Sequence, residues 1–131
     1  MKSKILALSK NEEFKKLLQQ KKLSNKYVTI YFGYLNNKSK NRFNISFVTK
    51  KKIGNAIKRN KIKRRLRNIM NDACKKISIN LHYSYLVIAK TTMLNNEFKI
   101  IKETLFQEFI KINKWIFLHS YWSNSLKLTN I

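Results

Sequence analysis

Residues 51–67 read KKIGNAIKRNKIKRRLR, and this stretch decides what kind of fold the chain can adopt. Nine of these seventeen residues are Lys or Arg, and none is acidic. An apolar stripe nevertheless starts at Ile62 and continues through Leu66, Ile69 and Ala73, which project within roughly 40° of it on a helix. A disordered cationic tail has no such stripe. The segment is therefore predicted to begin a helix over about 56–77 that is anchored on one side.

The other side of this helix is predicted to be polar and exposed. Its members project between roughly 100° and 200° from the stripe, and they are Asn60, Lys63, Arg64 and Arg67. Lys and Arg can bind phosphates there, and the Asn60 amide can bond to sugar or base edges. Arg59 projects close to the stripe and is expected to be partly buried. Gly54 and Asn55 suit a tight entry, with backbone N–H groups open to an anion.

The composition favours a polyanionic partner. Lys and Arg total 29 against 6 acidic residues, which gives a formal net charge of +23. No acidic residue lies between Glu13 and Asp72, where eighteen basic residues lie. Charge at this density favours RNA, DNA or an anionic membrane. Charge alone does not distinguish a surface that docks on one specific RNA from an unspecific basic patch.

Possible targeting segments and the number of cysteines indicate the cellular compartment in which the chain is expected to work. The apolar stretch in MKSKILALSKNEEF is too short for a signal peptide, and WIFLHSYW is too short to span a membrane. Cys74 is the single cysteine, so an intramolecular disulfide and a cysteine-based zinc site are excluded. We expect a reducing, cytoplasmic setting.

The remaining patterns predict one α+β domain. Ser9 and Glu12 fit a capping box before a first helix at about 10–21. Alternation of apolar residues predicts strands at 27–34 and 43–49, which we expect to form a hairpin, and a further strand at 83–90. A third helix is predicted to run to about residue 114, beginning near Asn95 or Asn96.

The order of residues in 51–67 resembles the RNR signature of the bacterial ribonuclease P protein family, which reads roughly K-K-[VI]-G-N-A-V-x-R-N-R-x-K-R-x-x-R. The matching positions are Lys51, Lys52, Ile53, Gly54, Asn55, Ala56, Ile57, Arg59, Asn60, Lys63, Arg64 and Arg67. Lys61 stands where the middle Arg is usual, which keeps the charge but loses a planar fork. KNEEFKKLL, YVTIYF, NISFVTKK and YLVIAK are similar to other parts of the family, so the resemblance covers about residues 9–112.

The resemblance implies a single RNA-binding domain over 1–131, with 115–131 as a C-terminal extension. The implied fold is a ribosomal-protein-like α/β sandwich. It has a small, mostly antiparallel sheet, a long basic helix after the hairpin, and helices at both ends. The family fold has four strands, and the sequence patterns locate three of them.

The resemblance also implies a function. The chain would be the protein subunit of ribonuclease P, which removes the 5′ leader of precursor tRNA. Catalysis would be carried by the P RNA with Mg²⁺ held mainly by that RNA, with no further protein partner and no membrane required. Contacts to the P RNA are implied for Lys51, Lys52, Gly54, Asn55, Arg59, Asn60, Lys61, Lys63, Arg64 and Arg67.

The resemblance places leader binding in a cleft between the first helix and the sheet. The candidates are Phe14 and Leu18 on the helix and Tyr31 on the first strand. Aromatic faces stack on unpaired bases without demanding a sequence, whereas Leu18 can pack but stacks poorly. Phe14 has a plain alternative role in the core. Tyr31 alternates with Ile30 and Phe32, which places it on the other face of its strand.

No residue pattern predicts a nuclease site or a metal site in the protein itself. The acidic residues are scattered, whereas a two-metal site needs convergent carboxylates. His82, His119 and Cys74 are isolated in the sequence. The alternative function is a non-catalytic RNA-binding protein, such as a ribosomal protein or an RNA chaperone. The tail either extends the third helix and covers the sheet, which its low charge favours, or contacts RNA through Trp115, Tyr121 and Trp122.

Overall fold

The computed structural model describes residues 5–35, 41–95 and 97–129, with side chains described as far as His119. These residues form one five-stranded sheet with helices on both faces. The strands are β1 (Ile5–Leu6), β2 (Lys21–Ser24), β3 (Val28–Tyr34), β4 (Phe43–Val48) and β5 (Tyr83–Ala89). The helices are α1 (Asn11–Leu18), α2 (Ala56–Lys76) and α3 (Phe98–Thr129).

The sheet is mixed, and its strand order is β1-β4-β5-β3-β2. β5 pairs antiparallel with β3 and parallel with β4, so the predicted hairpin between the strands now labelled β3 and β4 is wrong. Helix α2 starts just after β4 and returns the chain along the sheet, which brings β5 in parallel to β4. β5 is predominantly apolar and buried on both faces, and such a strand gains most from a central position.

The region around the first helix also differs from the prediction. Helix α1 ends at Leu18 instead of about residue 21, because Lys21–Ser24 pairs antiparallel with β3 as the edge strand β2. The predicted capping box is wrong as well: Lys10 is the N-cap residue, and it makes no side-chain cap hydrogen bond. Strands β1 and β2 are the two that the sequence patterns did not locate.

Helices α2 and α3 cover one face of the sheet and form the main core with it. The α2 stripe of Ile62, Leu66, Ile69 and Ala73 is buried as predicted, and α2 ends at Lys76, one residue from the predicted end. On α3 the buried residues are Ile101, Leu105, Phe109, Ile112 and Ile116. Tyr85 of β5 lies in this core, where its hydroxyl donates to the Asn80 carbonyl at 2.7 Å.

Helix α3 continues far beyond the predicted end near residue 114, as far as Thr129. The tail therefore extends the third helix. Trp115 packs on the sheet, with its ring centroid 5.5 Å from that of Phe32. The side chains of Tyr121 and Trp122 lie outside the described residues.

Helix α1 covers part of the opposite face of the sheet. Leu8, Leu17, Leu35 and Leu86 form a second, smaller apolar cluster there. Phe14, Tyr31, Val48 and Ile88 pack against it and are only partly buried. Tyr31 therefore lies on the face opposite Ile30 and Phe32, as the alternation predicted.

Candidate functional site

The start of α2 is shaped by two residues of the signature segment, as residues 51–67 are called below. Gly54 has a φ of 150°, a conformation that favours glycine, and a Cβ there would lie 2.8 Å from Lys58 Cδ. Asn55 is the N-cap residue, and its Oδ1 accepts a hydrogen bond from the Lys58 backbone N–H at 3.1 Å. Both residues therefore have structural roles. Their predicted contacts to RNA stay predictions.

The basic face of α2 is defined here as Asn60, Lys61, Lys63, Arg64 and Arg67. Lys63 is partly buried and the other four are exposed to solvent. The burial of Ile62 and Leu66 fixes this orientation, because a helix with one side in the core must present the other to solvent. The structure thus brings the predicted polar residues together on one surface.

Arg59 lies between the basic face and the core, and it is partly buried as expected. Its Nε atom is buried and has no hydrogen-bond acceptor among the described residues. A buried donor without an acceptor costs roughly 1–3 kcal/mol, so an acceptor brought by a ligand would bind favourably. A phosphate oxygen is one such acceptor.

The described ion pairs lie away from the basic face. Asp72, near the end of α2, pairs with Lys102 of α3, and this hydrogen bond is the main cause that lowers the pKa of the Asp72 carboxyl. Glu108 and Lys111, both on α3, are 3.8 Å apart. Both described ion pairs thus involve lysines of α3, and neither carboxylate is paired with a residue of the basic face.

A cavity of about 360 Å³ lies where β3 begins, β5 ends and the chain leaves β4 for α2. Its lining residues are Thr29, Lys50, Lys52, Ile88, Ala89, Lys90, Thr91 and Thr92. The Lys90 ammonium is held in place by donating to Ser24 Oγ at 2.9 Å and to the Asn25 carbonyl. Three ammonium groups and threonine hydroxyls around a cavity can bind phosphate.

The α1 cleft is the partly open surface between α1 and the sheet that contains Phe14 and Tyr31. Both side chains are partly buried against the smaller cluster, whereas Leu18 is 49% exposed on α1. The structure therefore brings Phe14 and Tyr31 into one surface and leaves Leu18 outside that packing. Ile88 belongs to both the cleft and the cavity, and Lys52 belongs to both the cavity and the signature segment. Cleft, cavity and helix entry form one continuous strip.

Sequence reasoning did not assign Lys50, Lys90 or the threonines to the site. Their grouping depends on β3 beginning, and on β4 and β5 ending, at the same edge of the sheet. No local pattern in the sequence carries that information.

The histidines and the cysteine are dispersed. His82 is exposed, His119 stacks on Trp115 and Cys74 is partly buried beside the main core. Within residues 5–35, 41–95 and 97–129, no three His, Cys, Asp or Glu side chains are grouped so that they could hold a metal ion. In the same ranges, no helix combines the length and apolar character needed to cross a membrane.

The chain matches known sequences over most of its length. The family model described as Ribonuclease P matches residues 3–113. The ribonuclease P protein component of Carboxydothermus hydrogenoformans is 34% identical over 102 residues, which cover 75% of this chain and 83% of the relative. The ribonuclease P protein component of Mesomycoplasma hyopneumoniae is 35% identical over 111 residues, which cover 85% of this chain and 92% of the relative.

Solved structures give the same result. The Staphylococcus aureus RNase P protein superposes with a TM-score of 0.67 at 26% identity, covering 82% of this chain and 94% of that protein. The RNase P protein from Thermotoga maritima superposes with a TM-score of 0.66, and the match covers 79% of this chain and 94% of that protein. Its identity is 23%, so that likeness shows the fold alone.

Proposed function

Because the chain belongs to the ribonuclease P protein family, we propose that it binds the catalytic P RNA and the 5′ leader of precursor tRNA as the protein subunit of ribonuclease P. The observation that carries this proposal is the continuous strip from the α1 cleft through the cavity to α2. A strip of this kind can hold a single strand at one end and a folded RNA at the other.

The basic face of α2 and its entry bind the P RNA. Exposed Arg64 and Arg67 supply planar donors to phosphates, and Asn60 supplies an amide that can also bond to sugar or base edges. Arg59 donates its buried Nε to an RNA oxygen, which removes the cost of leaving that donor unpaired. Lys51 and Lys52 extend the cationic surface at the entry, and Lys61 contributes charge without a planar fork.

The α1 cleft and the cavity bind the leader. Phe14 and Tyr31 offer partly exposed aromatic faces, and stacking tolerates any base, which suits leaders of varied sequence. Lys50 and Lys90 bind the leader backbone at the cavity. Leu18 contributes only apolar contact at the rim.

Catalysis belongs to the RNA in this proposal. Mg²⁺ needs oxygen ligands such as carboxylates, and the cavity is lined by lysines, threonines, Ile88 and Ala89, so this lining does not fit the ion. We therefore assign Mg²⁺ to the P RNA and derive no step through it. The protein lowers the repulsion between two RNAs, in the cytoplasm, without a further protein partner.

The test is cleavage of a 5′-labelled precursor tRNA by the P RNA of the same organism at low Mg²⁺, with and without the protein. We expect cleavage at the mature 5′ end only when both are present. Asn60→Ala should weaken binding of the P RNA, and Tyr31→Leu should weaken binding of precursor tRNA but not of mature tRNA. Lys99→Gln, an exposed charge on α3, is the control and should change neither.

The alternative of a plain RNA-binding protein makes a different prediction in the same assay. Folded protein that binds RNA without stimulating cleavage would contradict our proposal and support that alternative. Cleavage by the protein alone would contradict the assignment of catalysis to the RNA.

A further inference from the structure

A second, smaller cavity lies at the outer edge of the sheet, between β2 and α3. It measures about 150 Å³ and is almost entirely apolar. The lining residues are Lys21, Lys22, Leu23, Phe32, Lys111, Ile112 and Trp115. The family match ends at residue 113, so Trp115, the largest of these residues, belongs to the extension of this chain.

Trp115 is held in a defined orientation. Its ring meets Phe32 edge to face at 5.5 Å and stacks on His119 at 4.6 Å with an interplanar angle of 12°. On the open side, the Lys21 ammonium lies over the ring, 5.3 Å from its centroid. Trp115 is only partly buried, and both Lys21 and His119, which contact its ring, are exposed side chains.

The register of β2 connects this cavity to the α1 cleft. Lys22 pairs with Tyr31, and paired residues share a face, so both face the cleft. The next pair, Lys21 and Phe32, faces the opposite side, where Trp115 lies. Within the described residues, the edge strand β2 therefore separates Tyr31 in the cleft from Trp115 on the other side of the sheet.

We propose that this Trp115 cavity binds one unpaired base of the leader, upstream of the nucleotides held in the α1 cleft. The inference rests on the proposed function, because it requires a leader in the cleft. Lys21 moves off the ring to a phosphate, and the base takes its place between Trp115 and the lining of the cavity.

Size and charge select this occupant. At about 150 Å³ the cavity is smaller than the roughly 300–1,000 Å³ of common small-molecule sites, so it accepts one ring system and not a whole cofactor. Lys21 and Lys111 supply positive charge to the lining, and Glu108 Oε1 lies 3.8 Å from the Lys111 ammonium. A cation on an aromatic ring at an exposed site contributes less than a stacked base, so exchange of Lys21 for a base is favourable.

The first experiment measures binding of precursor tRNA to the holoenzyme while the leader is shortened one nucleotide at a time from its 5′ end. We expect the wild type to lose about 5- to 30-fold in affinity at one upstream nucleotide. Trp115→Leu keeps an apolar side chain but cannot stack, so this step should vanish, while affinity for the shortest leaders should be unchanged. Trp115→Phe should restore part of the step.

The second experiment measures the binding of RNA at the Trp115 cavity through the fluorescence of Trp115. The chain has two tryptophans, so Trp122→Phe leaves Trp115 as the single emitter. A short unstructured oligoribonucleotide should quench its fluorescence to saturation, and an abasic oligomer of equal length and charge should not. Lys21→Ala should weaken this quenching, whereas Lys114→Ala, an exposed lysine of α3 outside the cavity, should not.

Several outcomes would overturn the inference. One is an equal loss of affinity for precursor tRNA in the wild type and in Trp115→Leu at every leader length. The thermal midpoint of Trp115→Leu must show in this case that the variant is folded. Equal quenching by the abasic oligomer would show that the charge of the RNA, and not base stacking, changes the fluorescence. Quenching that increases with protein concentration in the absence of RNA would show that a second copy of this chain occupies the cavity. Normal cleavage in each case would leave the proposed function intact, so the two failures are distinguishable.

Discussion

At the scale of single residues, the signature segment combines folding and binding in adjacent positions. Asn55 caps α2 through its Oδ1, whereas Asn60, one turn later, is exposed and makes no described cap. Two asparagines of the same motif therefore differ in what their removal costs. When Asn55 is replaced, the measured loss of RNA binding includes a contribution from the lower stability of α2. When Asn60 is replaced, it does not.

Asn55→Asp and Asn55→Ala should separate these two roles. Aspartate caps as well as asparagine and suits a helix N-terminus, so we expect Asn55→Asp to keep the free energy of unfolding but weaken RNA binding through its negative charge. Asn55→Ala should lose about 1 kcal/mol of stability. Urea denaturation and binding of the P RNA are the measurements. Equal destabilisation by both variants would contradict the role of Asn55 as a cap.

At the scale of elements, α2 is joined to α3 by the ion pair between Asp72 and Lys102. This pair lies at the surface and links the second half of α2 to the first turns of α3. The pKa of Asp72 is lowered from its ordinary 3.8, first by the hydrogen bond from Lys102. A lowered pKa in the folded state stabilises the fold above the unfolded pKa, and this contribution is lost as pH falls through the folded value.

Asp72→Asn should therefore be less stable than the wild type near pH 7, and the difference should shrink as pH falls below about 4. Urea denaturation at a series of pH values measures this. Glu103→Gln is the matched control, since it removes an exposed carboxylate of α3 and changes the net charge equally. A constant difference over the whole pH range would show that the ion pair does not titrate with folding.

The elements also show what the sequence can and cannot predict. Helix α2 and the exposure of its basic face were predicted closely, because an apolar stripe at helical spacing is a local signal. Strand β2 was missed because KKLS has no strand pattern, and only its pairing with β3 makes it extended. The cavity around Lys50 and Lys90 was missed for the same reason, since it joins residues from Thr29 to Thr92 across three strands.

At the scale of the whole molecule, a net charge of +23 on 131 residues makes RNA binding strongly dependent on salt. If roughly six to ten phosphates are contacted, affinity for the P RNA should fall by about 10³ to 10⁵ between 50 and 200 mM salt, by analogy with duplex DNA. The field of the whole protein also accelerates association at low salt.

Arg67→Gln should reduce the slope of log affinity against log salt by about one, because it removes one phosphate contact from the basic face. Lys99→Gln on α3 carries the same charge change at an exposed position away from that face and should leave the slope unchanged. Filter binding at several salt concentrations gives both slopes. Equal slopes for the two variants would mean that the net charge, and not the basic face, governs binding.

β5 is the last strand to leave the ribosome, and β3 and β4 meet only through it. Residues 49–82, which include all of α2, must be synthesised before this central strand exists. Until β5 emerges, β3 and β4 have open inner edges, and the cationic segment leaves the ribosome before β5 does. Such non-local pairing slows folding and leaves partly folded chains prone to aggregate or to capture nearby nucleic acid. The newly made chain therefore meets cellular RNA before its own sheet can close.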